Sequence, residues 1–577
     1  MIEKFTDDKA TLILLSLLKQ HGIKRVVASP GTTNIALVAG MQQDEWFEVY
    51  SSVDERSAAY IACGLASESG EPVVITCTGA TASRNYYPGL TEAHYRKLPI
   101  LAITGFQAGE TRGHLYAQSL DRRYQPADTV NMSVEVGEIN NAKDEWKVII
   151  DINAAILELR HHGGGPVHIN LREASYGTFT TLQLPKAHKI SRYTAIDNLP
   201  EIEASSIAIF IGAHQNFSIQ ETEAIDSFCE KYNAVVIIDH TSGYKGKYGV
   251  LYALPSAQTN VKNVVEVDLL VHLGEVSGDY YSQGKIRCKD MWRVSSDGVI
   301  RDKFRKLSTI FEMPELYFFN SYANKRGQNV PLRIFQSCKS LFDSISSRIP
   351  ELPFSNIWIA SRLHNIIPAQ STLHFGILNS LRSWNFFEVD KSIDTKCNVG
   401  GFGIDGVMST LLGASLYRSD KLYFVVLGDL AFFYDINSLG NRHIGNNLRI
   451  LVINNGRGTE FRNYDHPASQ WEDKADLYIA AGGHFGNQSH TLIRDYAKSL
   501  GFKYITASSK EEFANVLDEF ITTDTEASVV FEVFTNPSNE SDALRLMRTI
   551  TPDNRTIIEK TFDSTKDLAR KTIKKIF

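Results

Sequence analysis

The sequence predicts an α/β protein built as three doubly wound domains with parallel sheets. Short runs that are apolar almost without interruption, such as VVIT, IAIFI and YFVVL, recur along the chain. That is how strands buried on both faces read. Amphipathic helical stretches separate them, and crossover helices are what parallel neighbours require. The size agrees: 577 residues hold three or four domains at roughly 100–200 residues each.

In the first block, 1–185, a helix from Asp7 to His21, stopped by Gly22, precedes the strand RVVA. FEVY, a helix through SAAYIACGLAS, the strand PVVITC, a helix near RNYYPGLTEAHYRK and the strand PILAIT follow. The long helix DEWKVIIDINAAILELRHH and the strand PVHINL close the block. The polar stretch EASYGTFTTLQLPKAHKISRYTAIDNLPE reads as a linker. The second block, 195–340, offers SSIAIFIG, AVVIID, VDLLVHLG, MWRVSS and ELYFFN as strands, and the pattern loosens over SLFDSISSRIPELPF. The third, 355–577, carries TLHFGIL, FFEVD, the helix IDGVMSTLLGASLY, LYFVVLGD, LRILVINN, KYITAS, SVVFEVF and a basic helical tail, STKDLARKTIKKIF. In such folds ligands sit beyond the carboxyl ends of the strands.

Composition excludes several classes of function. With 43% hydrophobic and 22% charged residues, the chain has ample material for cores, which rules out disorder and fibrous repeats. Sixty basic residues against 66 acidic ones give a net charge of −6, which argues against a nucleic-acid binder. The six cysteines contain no C-x-x-C pair, so neither a disulfide framework nor a zinc knuckle is expected, and a reducing cytoplasm suits them. The apolar run Thr11–Leu18 falls short of the ~20 residues needed to span a bilayer. The expectation is a cytoplasmic protein with no membrane and no nucleic-acid partner.

The most informative segment is LYFVVLGDLAFFYDINSLGNRHIGNNLRILVINNGRG. One buried strand ends in Gly428-Asp429 and the next in Asn454-Asn455. If the two are parallel neighbours, Asp429 and Asn455 emerge side by side. With the carbonyl of Arg457 they form a hard-oxygen set suited to Mg²⁺, an ion that keeps phosphate and water among its ligands. The Gly428 turn offers N–H groups to a diphosphate. An ordinary strand-to-helix turn followed by a second turn fits the same residues. Glu55, in VDERSAAYIACGLASESG, reads either as a common first-turn acid or as a carboxylate held against a buried surface for proton transfer, with a raised pKa.

Taken together, a Glu in the first block and a GD…NN set in the last resemble thiamine-diphosphate enzymes of the acetolactate-synthase type. The stretches that carry the resemblance are ASPGTTNIAL, VDERSAAYIACGLA, TCTGATASRNYYPGLTEA, GFGIDGVMSTLLGA and GDLAFFYDINSL, and they span essentially the whole chain. Within that family the likeness is closest to the menaquinone-biosynthesis synthases, which share a leucine at Leu430 in place of the usual third glycine. The resemblance implies a pyrimidine-binding domain first, a non-catalytic one in the middle and a diphosphate/Mg²⁺-binding one last, with thiamine diphosphate and Mg²⁺ as cofactors. Glu55 would hydrogen-bond N1′ of the aminopyrimidine and favour the imino form that deprotonates thiazolium C2. Thr78, Ser380, Gly428, Leu430, Ala431 and Asn455 would line the cofactor, and Ile404 would wedge beneath it. Asp429, Asn455 and the Arg457 carbonyl would hold the metal. Gln118 matches a glutamine near the reacting carbon, and His114, four residues earlier, could relay a proton.

The pattern departs where the menaquinone synthases grip acidic substrates with arginine, the natural residue for bidentate carboxylate recognition. SPGSR reads SPGTT, so Thr33 stands in an arginine position, as do Gln107, Trp384 and Val399. Asn85 is a candidate substrate contact. Arg112, Arg382, Arg457 and Arg462 are candidate replacement anchors. The pair His161-His162 reads as a C-terminal helix turn favouring positive charge. The expected function is decarboxylation of a 2-oxo acid donor with acyl transfer to an acceptor, a carbonyl carbon or an activated alkene, with ligation to a carbonyl favoured. A simple decarboxylase and a cofactor-binding, non-catalytic subunit stay open. The family builds its site between two subunits, so a homodimer or homotetramer is expected.

Overall fold

The computed structural model describes residues 4–107, 109–172, 178–261, 263–325, 330–484, 488–523 and 526–552. The chain forms two compact units: residues 1–198 with 297–312, and 199–296 with 313–577.

The first unit contains a parallel sheet ordered Glu48–Ser51, Arg25–Ala28, Val73–Cys77, Ile100–Phe106, Val167–Arg172, Met132–Val136. Val73–Cys77 and Ile100–Phe106 are buried at every position, as the uninterrupted apolar runs require. One face packs under helices Lys9–Gln20 and Ala142–Glu158 through Leu14, Leu17, Val148 and Ile152. The other packs under helix Glu55–Ser69 through Ala58, Ala59, Ala62 and Ala66. Small residues line that helix because the neighbouring helix Tyr87–Tyr95 comes close: a Cβ on Gly89 would lie 2.5 Å from that of Ala59. Ser191–Thr194 and Leu307–Glu312 form a further parallel pair in this unit.

In the second unit five parallel strands run in the order Gly249–Leu251, Ala234–Ile238, Ile207–Ile211, Val265–Leu273, Ile286–Ser295. Another sheet is ordered Asp394–Cys397, Thr372–Phe375, Tyr423–Gly428, Leu448–Asn454, Val529–Phe534, Lys503–Ala507. Val407, Leu411, Phe432 and Ile493 cover one face of it. A ring cluster of Phe424, Phe513, Phe520 and Phe531 covers the other. Each sheet with its helices is doubly wound, as expected.

Five local expectations change. ELYFFN is not a strand but the start of helix Glu315–Ala323, set off by Pro314, with Phe318, Phe319 and Tyr322 buried. FFEVD forms no strand; Phe386 and Phe387 are buried after helix Asn379–Trp384, apolar because they pack rather than because they pair. The stretch judged loose begins inside helix Arg333–Ser346, which buries Cys338, Phe342 and Ile345 at helical spacing. The strand Met132–Val136, which escaped notice, is only half-buried at four of its five positions and so lacks the apolar signature. The linker stretch, 173–201, is interrupted by the strand Ser191–Thr194, whose half-buried residues carry no apolar signature; its residues 173–177 and the tail, 564–577, lie outside the described residues.

Candidate functional site

In the first unit, the loops leaving Arg25–Ala28 and Val73–Cys77 meet at their carboxyl ends. Thr33 Oγ1 lies 2.9 Å from Thr78 Oγ1 and accepts from the Gly79 amide at 3.2 Å. The approach is so close that a Cβ on Gly105 would stand 2.2 Å from Thr33 Oγ1. At Thr33, where the sequence resemblance implies an arginine, this chain therefore has a hydroxyl that ties two loops together. Arg122, which sequence reasoning passed over, lies beside them fully buried. It donates to Thr104 Oγ1 at 2.6 Å and to the Gly105 carbonyl. It sits in DRRY with no motif around it, and only the fold shows it inside.

Glu55 opens its helix directly after Asp54, whose carboxylate caps the helix by accepting from the Ser57 amide. Glu55 is half-buried and its Oε2 accepts from Asn85 Nδ2 at 3.1 Å. Asn85, expected at the substrate, is thus the residue that orients Glu55. His114 and Gln118 are exposed, Gln118 at positive φ, and neither side chain is hydrogen-bonded among the described residues. Gln107 is half-buried at the end of Ile100–Phe106.

In the second unit, Tyr423–Gly428 and Leu448–Asn454 are parallel neighbours with Gly428 opposite Ile453. The side-by-side emergence expected of Asp429 and Asn455 follows from that register. Asp429 is 1% exposed and its Oδ2 has no hydrogen-bond partner. Burial pushes its pKa up to about 7, against the pull of nearby backbone amides at Leu430, Asn455 and Gly456. Asn455 Oδ1 accepts from the Thr459 hydroxyl, which also lies 3.4 Å from the Arg457 carbonyl, so both oxygens face one point. A Cβ on Gly428 would meet nothing within 4 Å. A buried carboxylate with one unpartnered oxygen, and amide and carbonyl oxygens that meet at the Thr459 hydroxyl a few residues on, are donors of the kind a divalent cation takes, and the open side of Gly428 leaves room for a diphosphate. The residues fit the group.

Ile404 is half-buried against the core that also holds Leu411 and Phe432. Leu430 is half-buried and Ala431 buried in the short helix Asp429–Tyr434. Ser380 is buried, 3.5 Å from Asn356 Nδ2, and is not a helix cap; Leu378, at φ 60°, precedes its helix. Trp384 and Val399 are core residues, 0% and 2% exposed.

The four candidate anchor arginines are all engaged. Arg112 pairs with Glu135 at 2.6 Å, Arg457 and Arg462 with Asp476, and Arg382 with Glu460 through two contacts of 2.8 and 2.9 Å. Arg382 and Glu460 line a cavity of about 220 Å³ together with Asp279, Tyr281, His466 and Arg548. No helix among the described residues is long and apolar enough to cross a membrane.

Comparison with known proteins agrees with this geometry. Residues 8–125 match the family model described as thiamine pyrophosphate enzyme, N-terminal TPP binding domain. A 2-succinyl-5-enolpyruvyl-6-hydroxy-3-cyclohexene-1-carboxylate synthase of Bacteroides thetaiotaomicron is 30% identical over 94% of this chain and 98% of its own. Synthases of the same name from Flavobacterium johnsoniae (26%, covering 92% of this chain and 96% of theirs) and Porphyromonas gingivalis (26%, covering 93% and 96%) are similar along their length. The chain therefore belongs to the family of thiamine-diphosphate-dependent enzymes that includes these synthases, with thiamine diphosphate and a divalent cation such as Mg²⁺ as its cofactors.

Proposed function

We propose that the protein is a carboligase: it decarboxylates a 2-oxo acid and transfers the acyl unit to a carbonyl acceptor, with substrates carrying fewer carboxylates than those implied by the synthases' name. The observation that carries the substrate reading is the set of neutral side chains at four arginine positions. Thr33 is committed to Thr78, Trp384 and Val399 are core, and Gln107 is uncharged. Each lost bidentate contact removes charged hydrogen bonds worth about 1.5–3 kcal/mol apiece.

When bound, thiamine diphosphate supplies the carbanion chemistry of decarboxylation and acyl transfer. The chain supplies the rest. Glu55, oriented by Asn85, holds or releases a proton at its carboxylate toward the aminopyrimidine. Asp429, Asn455 and the Arg457 carbonyl hold the divalent cation. Thr78, Ser380, Gly428, Leu430 and Ala431 line the cofactor, and Ile404 supports it with an apolar surface. Residues 1–185 would serve the pyrimidine end, 355–577 the diphosphate, and 195–340 no catalytic role. Gln118 and His114 would close over the reacting carbon from their exposed loop.

A homodimer or homotetramer, with each cofactor served by two subunits, is supported by exposed apolar side chains around Glu55. Val53, Tyr60 and Ile61 are 80%, 47% and 45% exposed, a concentration that marks an association surface. The test of the reaction is to incubate the protein with cofactor, Mg²⁺ and a panel of 2-oxo acids, with and without aldehydes. Acceptor-dependent formation of a hydroxyketone supports ligation. Aldehyde release undiminished by any acceptor assigns a simple decarboxylase instead, and failure to exchange the cofactor's C2 hydrogen assigns a non-catalytic subunit.

A further inference from the structure

The pair His161-His162 does not end the helix Ala142–Glu158 as a simple basic turn. It forms a separate 3₁₀ turn, His161–Gly163, with His162 at φ 47° and ψ 42°. The two imidazoles stack with centroids 3.6 Å apart and planes 24° from parallel.

His161 is 6% exposed. Its Nδ1 lies 2.8 Å from Glu158 Oε2, and the carboxylate can only accept, so Nδ1 carries the proton. In the neutral tautomer Nε2 is then a bare lone pair. That nitrogen is buried, makes no hydrogen bond, and faces Glu312 Oε2 at 3.4 Å, while His162 Nε2 lies 3.9 Å from Glu312 Oε1. Two imidazole nitrogens and a carboxylate thus lie within 4.8 Å of one another. Arg192 approaches Glu312 Oε2 at 3.5 Å, but its guanidinium also donates to the carbonyls of Leu157 and Gly298 and leaves Oε1 turned to the histidines.

We propose that His161, His162 and Glu312 bind a divalent transition-metal ion of the Zn²⁺ class, separate from the Mg²⁺ set at Asp429. Ligands at ~2.0–2.1 Å in a tetrahedron stand about 3.3 Å apart, close to the 3.4 Å between His161 and Glu312, and the exposed His162 ring must turn out of its stack on His161 to bring its nitrogen onto the same ion. Imidazole nitrogen selects Zn²⁺ over Mg²⁺ and Ca²⁺. Glu158 is the outer carboxylate that fixes the ligand tautomer, the partner that metal-bound histidines commonly have. With three protein ligands, the fourth position belongs to water. The ion would clip the end of a long helix to the strand Leu307–Glu312, far along the sequence, which is a structural role.

The test uses untagged full-length protein, stripped with chelator and returned to excess Mg²⁺ and thiamine diphosphate, with Zn²⁺ as calorimetric titrant. The expected result is one tight Zn²⁺ per chain and a rise in the thermal unfolding midpoint. In His162→Ala, Zn²⁺ affinity falls at least tenfold and the midpoint rise disappears; His162 is two-thirds exposed, so folding survives its loss. Glu158→Gln weakens binding about tenfold, within the range for lost outer-shell partners. Co²⁺ in place of Zn²⁺ gives visible d–d absorption in the wild type alone. No Zn²⁺ uptake by the wild type, or uptake unchanged in His162→Ala, overturns the proposal.

Discussion

At the scale of single residues, two carboxylates bear the proposed chemistry in opposite ways. Glu55 is half-open and held by one hydrogen bond from Asn85, so its role rests on position. Glu55→Gln is expected to abolish accelerated exchange of the cofactor's C2 hydrogen, followed by NMR in deuterated buffer, while leaving cofactor affinity within a few-fold. Asn85→Ala removes a hydrogen bond to a charged group, worth about 1.5–3 kcal/mol, and is expected to slow the same exchange by one to two orders of magnitude. Asp429 is sealed in with its Oδ2 unpartnered, so its role rests on need: a buried carboxylate with too few partners is costly, and a cation removes the cost. Asp429→Asn is expected to erase the rise in unfolding temperature that Mg²⁺ with thiamine diphosphate gives the wild type. A variant that keeps the full rise would exclude Asp429 as a metal ligand.

At the scale of elements, the ends of buried strands carry the residues proposed for the cation, and those ends were legible. Gly428-Asp429 and Asn454-Asn455 follow uninterrupted apolar runs, whose burial on both faces can be read without knowing the neighbours. What could not be read was any contact between elements distant in sequence. Arg122 is buried because Thr104 and Gly105 receive it, and nothing in DRRY says so. The same holds for Arg382, which sequence reasoning offered as a free anion anchor and which is joined to Glu460 in the short turn Thr459–Arg462. Local apolar runs misled where helices lie buried, as at Phe318 and Phe319, because burial shapes composition before secondary structure does. The Arg382–Glu460 pair gives a prediction of its own. Its side chains are 15% and 20% exposed, and removing one member of such a pair strands the other charge. Glu460→Gln is expected to cost roughly 3 kcal/mol in urea unfolding, whereas breaking a solvated pair such as Arg418–Asp420 is expected to leave the unfolding midpoint unchanged.

At the scale of the whole molecule, association and pH are the levers. If subunits meet over the face that carries Val53, Tyr60 and Ile61, a charge placed there must be desolvated on assembly. Tyr60→Asp is expected to shift the protein to monomers in sedimentation experiments and to lose C2-hydrogen exchange with them. A variant that stays assembled and active would place the interface elsewhere.

Acid stability follows from three histidines buried in their neutral form. His168 spans Thr104 Oγ1 at 2.8 Å and Ser133 Oγ at 2.9 Å, and burial drives its pKa down to about 3, with Arg122 adding to the effect. Burial likewise lowers His240, bonded to the carbonyls of Trp384 and Phe387, and His374, beside Asn398, to about 4. In the unfolded chain each titrates near 6.5. Between that value and the folded one, the unfolded state binds the extra proton, so each histidine's contribution is complete above pH 6.5 and is lost as pH falls toward 3–4. The slope is about 1.4 kcal/mol per pH unit for each group. Urea unfolding in half-unit steps from pH 7.5 to 4.5 is therefore expected to show stability falling steeply below 6.5. His168→Asn, which starts from lower stability because it gives up a buried hydrogen bond, should lose about 1.4 kcal/mol per unit less over that window. An unchanged slope would mean that His168 is already charged in the folded protein, and that its two hydroxyl neighbours and Arg122 pay a repulsion that the geometry gives no reason to expect.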